Sequence, residues 1–190
     1  MSKSPMSKLS HDDLVEIARK WLLKRQAPPK GSYEGGRAAC SLVITDMTSG
    51  SRETPDAIGW AGWGHSTLVE CKVSVEDFKR DQYKCFRQDP KTGAGVTRFY
   101  MAPEGLLSVD QLPESWGLIE VDDKGKTRVK KRSEIFETDR RGEIEMMLSL
   151  IRRLKVKPGK HVSIRAYTIE KETEPRATVT LVEDSESEEQ

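Results

Sequence analysis

Residues 54–73 read TPDAIGWAGWGHSTLVECKV and contain the most informative pattern in the chain. Its glycine-rich centre, residues 62–65, separates two strand-like runs, which predicts a tight antiparallel hairpin. Alternate side chains share one face of a strand, so Glu70 and Lys72 point to the same side of the second strand. The hairpin brings Asp56, from the first strand, opposite Glu70. Three charged groups are therefore expected side by side.

The types and spacing of these three residues suit phosphodiester hydrolysis. Two carboxylates held close together repel each other unless a cation lies between them, and carboxylate oxygens are preferred ligands of Mg²⁺. The lysine adds an ammonium group within reach of a metal-bound water and a phosphate. Hydrolysis needs a deprotonated water and stabilisation of charge on the phosphoryl oxygens. The alternative is an exposed salt bridge between Glu70 and Lys72, which would leave Asp56 unexplained.

Helical and strand patterns surround this hairpin. Ser10 and Asp13 form a capping-box pattern, and apolar residues then recur at helical spacing, which predicts a helix over residues 10–25. A strand over 38–47 would complete an antiparallel meander with strands over 54–62 and 67–73. A second capping box begins at Ser74 and predicts a helix with one apolar side, formed by Val75, Phe78, Cys85 and Phe86.

The second half of the chain continues the alternation of strands and helices. We expect strands over 97–101 and 116–121, a basic strand over 126–132, and a hairpin formed by 161–169 and 176–182. This order predicts an α/β fold with a mixed central β-sheet flanked by helices, in a single domain over residues 9–182. Residues 1–8 are expected to be flexible and 183–190 to form a disordered acidic tail. A helix over 139–154 carries the apolar stripe Ile144, Met147, Leu148, Ile151 and Leu154.

Composition excludes several classes of protein. No apolar run is long enough to span a bilayer, and the first residues lack a secretory signal, so we expect a cytoplasmic protein. The three cysteines, Cys40, Cys71 and Cys85, are odd in number and widely spaced, which indicates reduced and mostly buried thiols. The net charge is +1, although the last eight residues carry five acids. A basic body with an acidic tail suits a polyanionic partner.

The sequence Pro55-Asp56 followed by Glu70-Cys71-Lys72 resembles the PD-(D/E)XK motif of the restriction-endonuclease-like nuclease superfamily. The predicted order of elements, α-β-β-β-α-β, is also the core order of that superfamily. Two later stretches, RFYMAPEG at 98–105 and LPESWGLI at 112–119, resemble its small stand-alone members of bacterial DNA-repair and phage type. The resemblance covers roughly residues 9–154.

The resemblance implies a DNA endonuclease that uses Mg²⁺ or Mn²⁺, in DNA repair or phage metabolism. It makes Asp56 and Glu70 metal ligands and the backbone carbonyl of Cys71 a further ligand. Lys72 would activate the water or stabilise the transition state. Two other functions stay open: a non-catalytic module that binds nucleic acid or protein, and a phosphoesterase that acts on nucleotides. The oligomeric state also stays open, although cutting at two sites would call for a homodimer.

Other polar residues are weaker candidates. Some superfamily members place another acid on the first helix, where Glu16 lies, but an exposed pair with Lys20 is the simpler interpretation. Lys79 and Gln82 interrupt the apolar side of the second helix and could hold a phosphate or a water, or lie at its margin. Basic side chains on expected loops and margins could contact the DNA backbone: Arg37, Lys84, Arg87, Lys91 and Arg98.

Aromatic and histidine residues near the hairpin have plainer interpretations. His65 lies in the glycine-rich turn, and neither other histidine has metal-ligand spacing with it, so we expect a turn residue. Trp60 and Trp63 could stack on unpaired bases, although we expect Trp60 to pack in the core.

Overall fold

The computed structural model describes residues 9–24, 38–51 and 53–154, together with the backbone of residues 179–181. Short 3-10 turns lie at Gly62–Gly64, Pro90–Thr92 and Val109–Gln111. The helices and strands, in chain order, are α1 (His11–Leu22), β1 (Leu42–Thr45), β2 (Ala57–Trp60), β3 (Ser66–Cys71), α2 (Val75–Asp81), α3 (Cys85–Gln88), β4 (Thr97–Pro103), β5 (Gly117–Val121), β6 (Thr127–Lys131), α4 (Arg140–Arg153) and β7 (Val179–Leu181).

The described strands form one mixed sheet in the order β6-β5-β4-β3-β2-β1-β7. Strands β1, β2 and β3 form the expected antiparallel meander. Strand β4 runs parallel to β3, β5 runs parallel to β4, and β6 returns antiparallel along the edge. The predicted α/β class with a mixed central sheet is therefore confirmed.

Apolar side chains fill both faces of the sheet. Helix α1 begins with the predicted capping box of Ser10 and Asp13 and covers one face. Its buried partners include Val43, Val69, Cys71, Met101 and Ile119. The other face is packed beneath α2 and α4, and its buried residues include Ile44, Ile58, Leu68, Phe78, Tyr100, Leu118, Met146 and Leu150.

The apolar stripe predicted for α4 is wrong. Ile144, Leu148 and Ile151 are exposed, and only Met147 and Leu154 are partly buried. The helix is rotated about its axis relative to the predicted orientation, because Glu143 faces inward and accepts hydrogen bonds from Trp60 Nε1 and other buried donors. A carboxylate that satisfies several buried donors can occupy a core position that an apolar pattern does not reveal. The residues of α4 that face inward are Gly142, Glu143, Met146, Ser149 and Leu150.

The single helix predicted after Ser74 is also wrong in its second half. Two short helices occupy this segment, because Lys84 adopts an extended backbone conformation and separates them. The break turns Cys85 outward, whereas Cys40 and Cys71 are buried; all three are free thiols. The polar residue that enters the core from α2 is Asp81 rather than Gln82.

Some expectations lie outside the described residues: the flexible N-terminus 1–8, Arg37, the strand over 161–169 and the acidic tail 183–190. Strand β7, which falls within the expected strand over 176–182, pairs antiparallel with β1. Of the helices in the described ranges, none is long and apolar enough to cross a membrane.

Candidate active site

Paired strands bring Asp56 and Glu70 together. In the β2–β3 register Ala57 is the partner of Val69, so Asp56, one residue before β2, lies level with Glu70. The Asp56 carboxylate accepts a hydrogen bond of 2.7 Å from the backbone N–H of Cys71. This bond fixes one oxygen of Asp56 against the end of β3, beside Glu70 and Lys72.

The ammonium group of Lys72 is surrounded by carboxylates. Its Nζ lies 3.2 Å from Glu70 and 3.8 Å from Asp56. Two acids from α2 complete the group, with Asp81 at 3.5 Å and Asp77 at 3.9 Å. Burial lowers the pKa of Lys72, but the surrounding carboxylates outweigh burial and raise it above its usual value. Lys72 therefore stays protonated at neutral pH.

Glu70 is almost completely buried between two cationic side chains. Its Oε2 faces Lys72, and its Oε1 lies 2.9 Å from a terminal nitrogen of Arg87. Burial raises the pKa of Glu70 to about 7, and Asp56 and Asp81 add to the effect, whereas Arg87 and Lys72 oppose it. Desolvation therefore outweighs the two neighbouring cations and makes this carboxyl group harder to ionise than a free one.

Arg87 is the centre of this network, and its expected surface position is wrong. The guanidinium contacts Glu53, Glu70 and Asp81, with a 2.8 Å hydrogen bond to the last. It also lies over the rings of Phe86 and Trp116. A side chain that is 1% exposed cannot contact a DNA backbone in this conformation. No local pattern indicates this network, since Glu53 is distant in sequence and the break at Lys84 is what brings Arg87 back onto Asp81.

Arg98 is likewise an interior residue, contrary to the expectation of a surface contact. Its guanidinium donates hydrogen bonds to the backbone carbonyls of Gly95, Pro90 and Gly93 and holds that loop in place. Burial lowers the pKa of Arg98 to about 10. Its role in the structure is to satisfy buried carbonyl groups, which otherwise cost free energy.

The other basic candidates within the described ranges lie at the surface, either away from the cluster or at its rim. Lys84 pairs with Asp81 at 2.6 Å and is partly exposed, so it borders the buried acids. Lys91 is exposed and pairs with Glu137. Lys79 is exposed on α2.

The weaker candidates on the helices are not drawn into the cluster. Glu16 pairs with Arg19 at 2.7 Å and with Lys20 at 3.2 Å. The Arg19 contact lowers the pKa of Glu16 to about 2. This is the exposed pairing that the sequence favoured. Gln82 ends α2 and donates to the carbonyl of Gln111 at 3.4 Å.

The aromatic residues of the hairpin take different positions. Trp60 is buried as expected, and Trp63 is fully exposed at the tip of the turn, with a left-handed backbone at φ 62°. His65 lies in this turn and approaches Thr97 Oγ1 at 3.3 Å. Trp63 therefore sits at the opposite end of the β2–β3 hairpin from Asp56 and Glu70.

A histidine that the sequence did not single out stands at the mouth of the cluster. His11, at the start of α1, places Nε2 3.5 Å from Asp56 Oδ1. The contact raises the pKa of His11, and the Asp56 pKa is lowered by His11 and Lys72 despite burial. Asp56 is the most accessible of the three motif residues, with 17% of its side chain exposed. Asp56 and His11 therefore form part of the solvent-facing side of the cluster, together with Asp77, whose side chain is 35% exposed.

The donor chemistry fits one hard divalent cation, with Lys72 as its neighbour. Asp56 and Glu70 both lie within 4 Å of the same ammonium nitrogen, and Glu70 Oε1 makes no hydrogen bond, although it lies 2.9 Å from a terminal nitrogen of Arg87. Acids outnumber bases around the cluster, so a further positive charge would be stabilised there. Within the described ranges, however, no three His, Cys, Asp or Glu side chains are already arranged as a metal site. Asp56, Glu70 and backbone or water oxygens would have to supply the ligands.

Comparisons with known proteins leave the family open. No family model matches the chain, and no curated protein matches it in sequence. Among solved structures the chain is similar to the SPO1766 protein of unknown function from Silicibacter pomeroyi. The two are 16% identical with a TM-score of 0.44, over 56% of this chain and 70% of that chain. A likeness of this size assigns neither family nor activity.

Proposed function

We propose that this protein is a metal-dependent nuclease that hydrolyses phosphodiester bonds in DNA, with Mg²⁺ or Mn²⁺ as its cofactor. One observation carries the proposal: the ammonium group of Lys72 lies beside the carboxylates of both Asp56 and Glu70, at the paired ends of β2 and β3. The arrangement combines oxygen ligands for a cation with a fixed positive charge. Both are needed when negative charge develops on a phosphoryl group.

Each residue has a role that follows from its surroundings. Asp56 and Glu70 would hold the cation, with the Cys71 carbonyl as a further ligand. The cation, when bound, supplies an acidified water and neutralises charge on the phosphate. The raised pKa of Lys72 makes this residue a poor proton acceptor at neutral pH. Lys72 therefore acts as a positive group beside the reacting phosphate rather than as the base.

The buried network positions these groups. Arg87 holds one oxygen of Glu70, which leaves the other directed at Lys72. Asp81 contacts both Arg87 and Lys72 and also accepts a 2.8 Å hydrogen bond from Tyr100. A reacting constellation needs such support, because small displacements of its groups greatly reduce rates. Arg87 and Asp81 are thus positioning residues in this proposal.

A second candidate function is a non-catalytic module that binds nucleic acid or protein. The observation that favours it is the burial of the cluster: the side chains of Glu70 and Lys72 are 1% and 5% exposed. In that case the charges would form a structural ion network, with His11 and Asp56 as its solvent-facing rim. A phosphoesterase that acts on nucleotides would use the same groups on a smaller substrate.

One set of incubations tests these functions. The purified chain would be mixed with plasmid, single-stranded DNA, branched DNA, RNA and nucleotides, each with Mg²⁺, Mn²⁺ or a chelator. The proposal expects cation-dependent DNA cleavage that falls by orders of magnitude in Lys72→Met and persists in Arg152→Met, a change on α4. Phosphate release from nucleotides alone would indicate the phosphoesterase, and DNA binding without any cleavage would indicate the module.

A further inference from the structure

Positive charge is concentrated on one hairpin of the sheet. Residues 124–132 read KGKTRVKKR, which places six bases and no acid within nine residues. The whole chain has a net charge of only +1, so the rest of it is net acidic. This basic hairpin, formed by β5, β6 and their turn, was not among the sites suggested by the sequence motif.

The turn of the basic hairpin is built to present lysines to solvent. Asp122 accepts hydrogen bonds of 2.9 and 2.8 Å from the backbone N–H groups of Lys124 and Lys126. Gly125 between them has φ of 75°, a conformation that glycine adopts without strain. Both lysine side chains are exposed at the tip. The turn is therefore ordered by backbone contacts while its charges face outward.

The basic strand lies on the same face of the sheet as Glu70. Strand registers connect Glu70 to Tyr100, Tyr100 to Leu118, and Leu118 to Lys131. Paired residues share a face of the sheet, and three strand spacings of about 4.8 Å give a separation of about 14 Å. Arg128, paired with Glu120, also lies on this face and is exposed. Positive side chains thus flank the candidate active site at one edge of the sheet.

A plainer explanation is that these charges prevent the edge strand β6 from pairing with other chains. Edge strands commonly carry a lysine or an inward charge for this purpose. This explanation covers the charges on β6 but not Lys124 and Lys126, which lie on the turn, beyond the strand. On the hairpin, Lys130 is held by a buried acid, Glu120, at 3.1 Å. Six bases against two acids, Asp122 and Asp123, on strand and turn together fit an extended polyanion better.

We propose that the basic hairpin binds the phosphate backbone of DNA beside the candidate active site, through Lys124, Lys126 and Arg128. This inference rests on the proposed function for its choice of DNA as the polyanion. A separation of about 14 Å corresponds to about four base-pair steps of duplex at 3.4 Å each. That separation is measured to Lys131 on the strand, and Lys126 and Lys124 lie farther away on the turn, so the hairpin contacts the substrate about four or more base pairs from the phosphate that is cut.

The test measures DNA binding in chelator, where no cleavage occurs. A labelled duplex is titrated by fluorescence anisotropy with the parent, with the triple variant Lys124→Gln, Lys126→Gln, Arg128→Gln, and with a control of equal charge change. The control, Arg141→Gln, Arg152→Gln, Arg153→Gln, alters α4 instead. Each lost phosphate contact should reduce the slope of log affinity against log salt by about 0.9. We expect the hairpin variant to bind DNA at least tenfold more weakly than the parent, with a salt slope that is shallower by about 2–3. The control variant should keep nearly the parental affinity and slope.

Several outcomes would overturn the inference. Equal weakening in both triple variants would mean that net charge alone matters, and unchanged binding in the hairpin variant would exclude the surface. If the hairpin variant aggregates while its DNA affinity is unchanged, the charges serve to keep the edge strand β6 from pairing with other chains. If the parent binds anionic vesicles but not DNA, the hairpin is a lipid-binding surface. A parent that binds DNA through the hairpin but never cleaves it would refute the proposed chemistry and leave this inference standing.

Discussion

Arg87 and Glu70 form a buried ion pair in which a terminal nitrogen of Arg87 lies 2.9 Å from Glu70 Oε1. Both side chains are only 1% exposed, and the pair joins α3 to β3. The same guanidinium also contacts Glu53 and Asp81. Removing one partner of a buried pair costs more than the pair contributes, because the other charges remain buried without compensation.

Arg87→Met should therefore destabilise the protein by about 3–5 kcal/mol, the usual cost of breaking a buried ion pair. The matched control is Arg80→Met on α2, where the side chain is 79% exposed and pairs loosely with Asp77. This control should change stability by less than about 0.5 kcal/mol. Urea unfolding in chelator measures both. A loss below about 1 kcal/mol in Arg87→Met would show that the three acids find other partners or become protonated.

The raised pKa of Glu70 predicts a pH dependence of stability in the metal-free protein. Between pH 4.5, its ordinary value, and about 7, the folded chain keeps a proton on Glu70 that the unfolded chain has released. Stability is therefore lost as pH rises through this window, by about 3 kcal/mol for a shift of this size. Glu70→Gln lacks this loss.

The measurement is the difference in unfolding free energy between Glu70→Gln and the parent, from pH 4.5 to 8 in chelator. The variant should become more stable relative to the parent as pH rises, and the difference in unfolding free energy should level off above about pH 7. Subtraction removes the contribution of His11, whose raised pKa also makes stability fall with pH. A difference that stays constant across the range would contradict the assignment.

The motif residues could be placed from sequence because their geometry is local. Strand alternation puts Glu70 and Lys72 on one face, and a tight hairpin places Asp56 level with Glu70. Neither relationship depends on how the rest of the chain folds. The α4 stripe could not be placed in this way. Ile144 and Leu148 repeat at helical spacing, but the helix is oriented by Glu143, whose donors lie far away in sequence. Long-range polar contacts leave no periodic signature.

Glu143→Gln tests that explanation for the orientation of α4. The carboxylate accepts hydrogen bonds from Trp60, Ser66 and the backbone N–H of Gly95, at 2.8–3.0 Å. An amide keeps one acceptor oxygen and replaces the other with an NH2 group, which can only donate. Some of the buried donors therefore lose their acceptor. Each hydrogen bond to a charged group is worth about 1.5–3 kcal/mol, and we expect a loss of that order or more. Thermal unfolding measures this loss. Glu145→Gln, at a partly exposed position of α4, should be nearly neutral in the same assay.

The roles proposed for Asp56 and Lys72 predict opposite responses to metal. Saturating Mn²⁺ at about a hundred times its dissociation constant stabilises a protein by about 2.7 kcal/mol. Asp56→Asn should lose most of this stabilisation, while its amide oxygen can still accept the hydrogen bond from Cys71. Lys72→Met removes an ammonium within 4 Å of both ligands, so its stabilisation by metal should persist or increase. Melting curves across a Mn²⁺ titration measure this, and equal responses in the two variants would refute the assigned roles.

Two neighbouring residues at the end of α2, Asp81 and Gln82, should differ in their importance for cleavage. The sequence singled out Gln82 because it interrupts the apolar side of the expected helix, yet the helix turns Asp81 inward instead. The Asp81 carboxylate accepts hydrogen bonds from Tyr100 and Arg87, and it lies 3.5 Å from Lys72. Gln82 contacts only a loop carbonyl among the hydrogen bonds seen in the described part of the chain.

Asp81→Asn keeps the shape of the side chain but removes the charge that holds Lys72 and Arg87 in place. Loss of alignment in a transition state costs about tenfold or more in turnover. We expect Asp81→Asn to lower turnover at saturating DNA by at least that factor, with little change in DNA affinity measured in chelator. Gln82→Ala should keep parental turnover. The reverse result, an active Asp81→Asn with an impaired Gln82→Ala, would mean that α2 serves the site through its exposed side, because the buried contacts of Asp81 would then be structural.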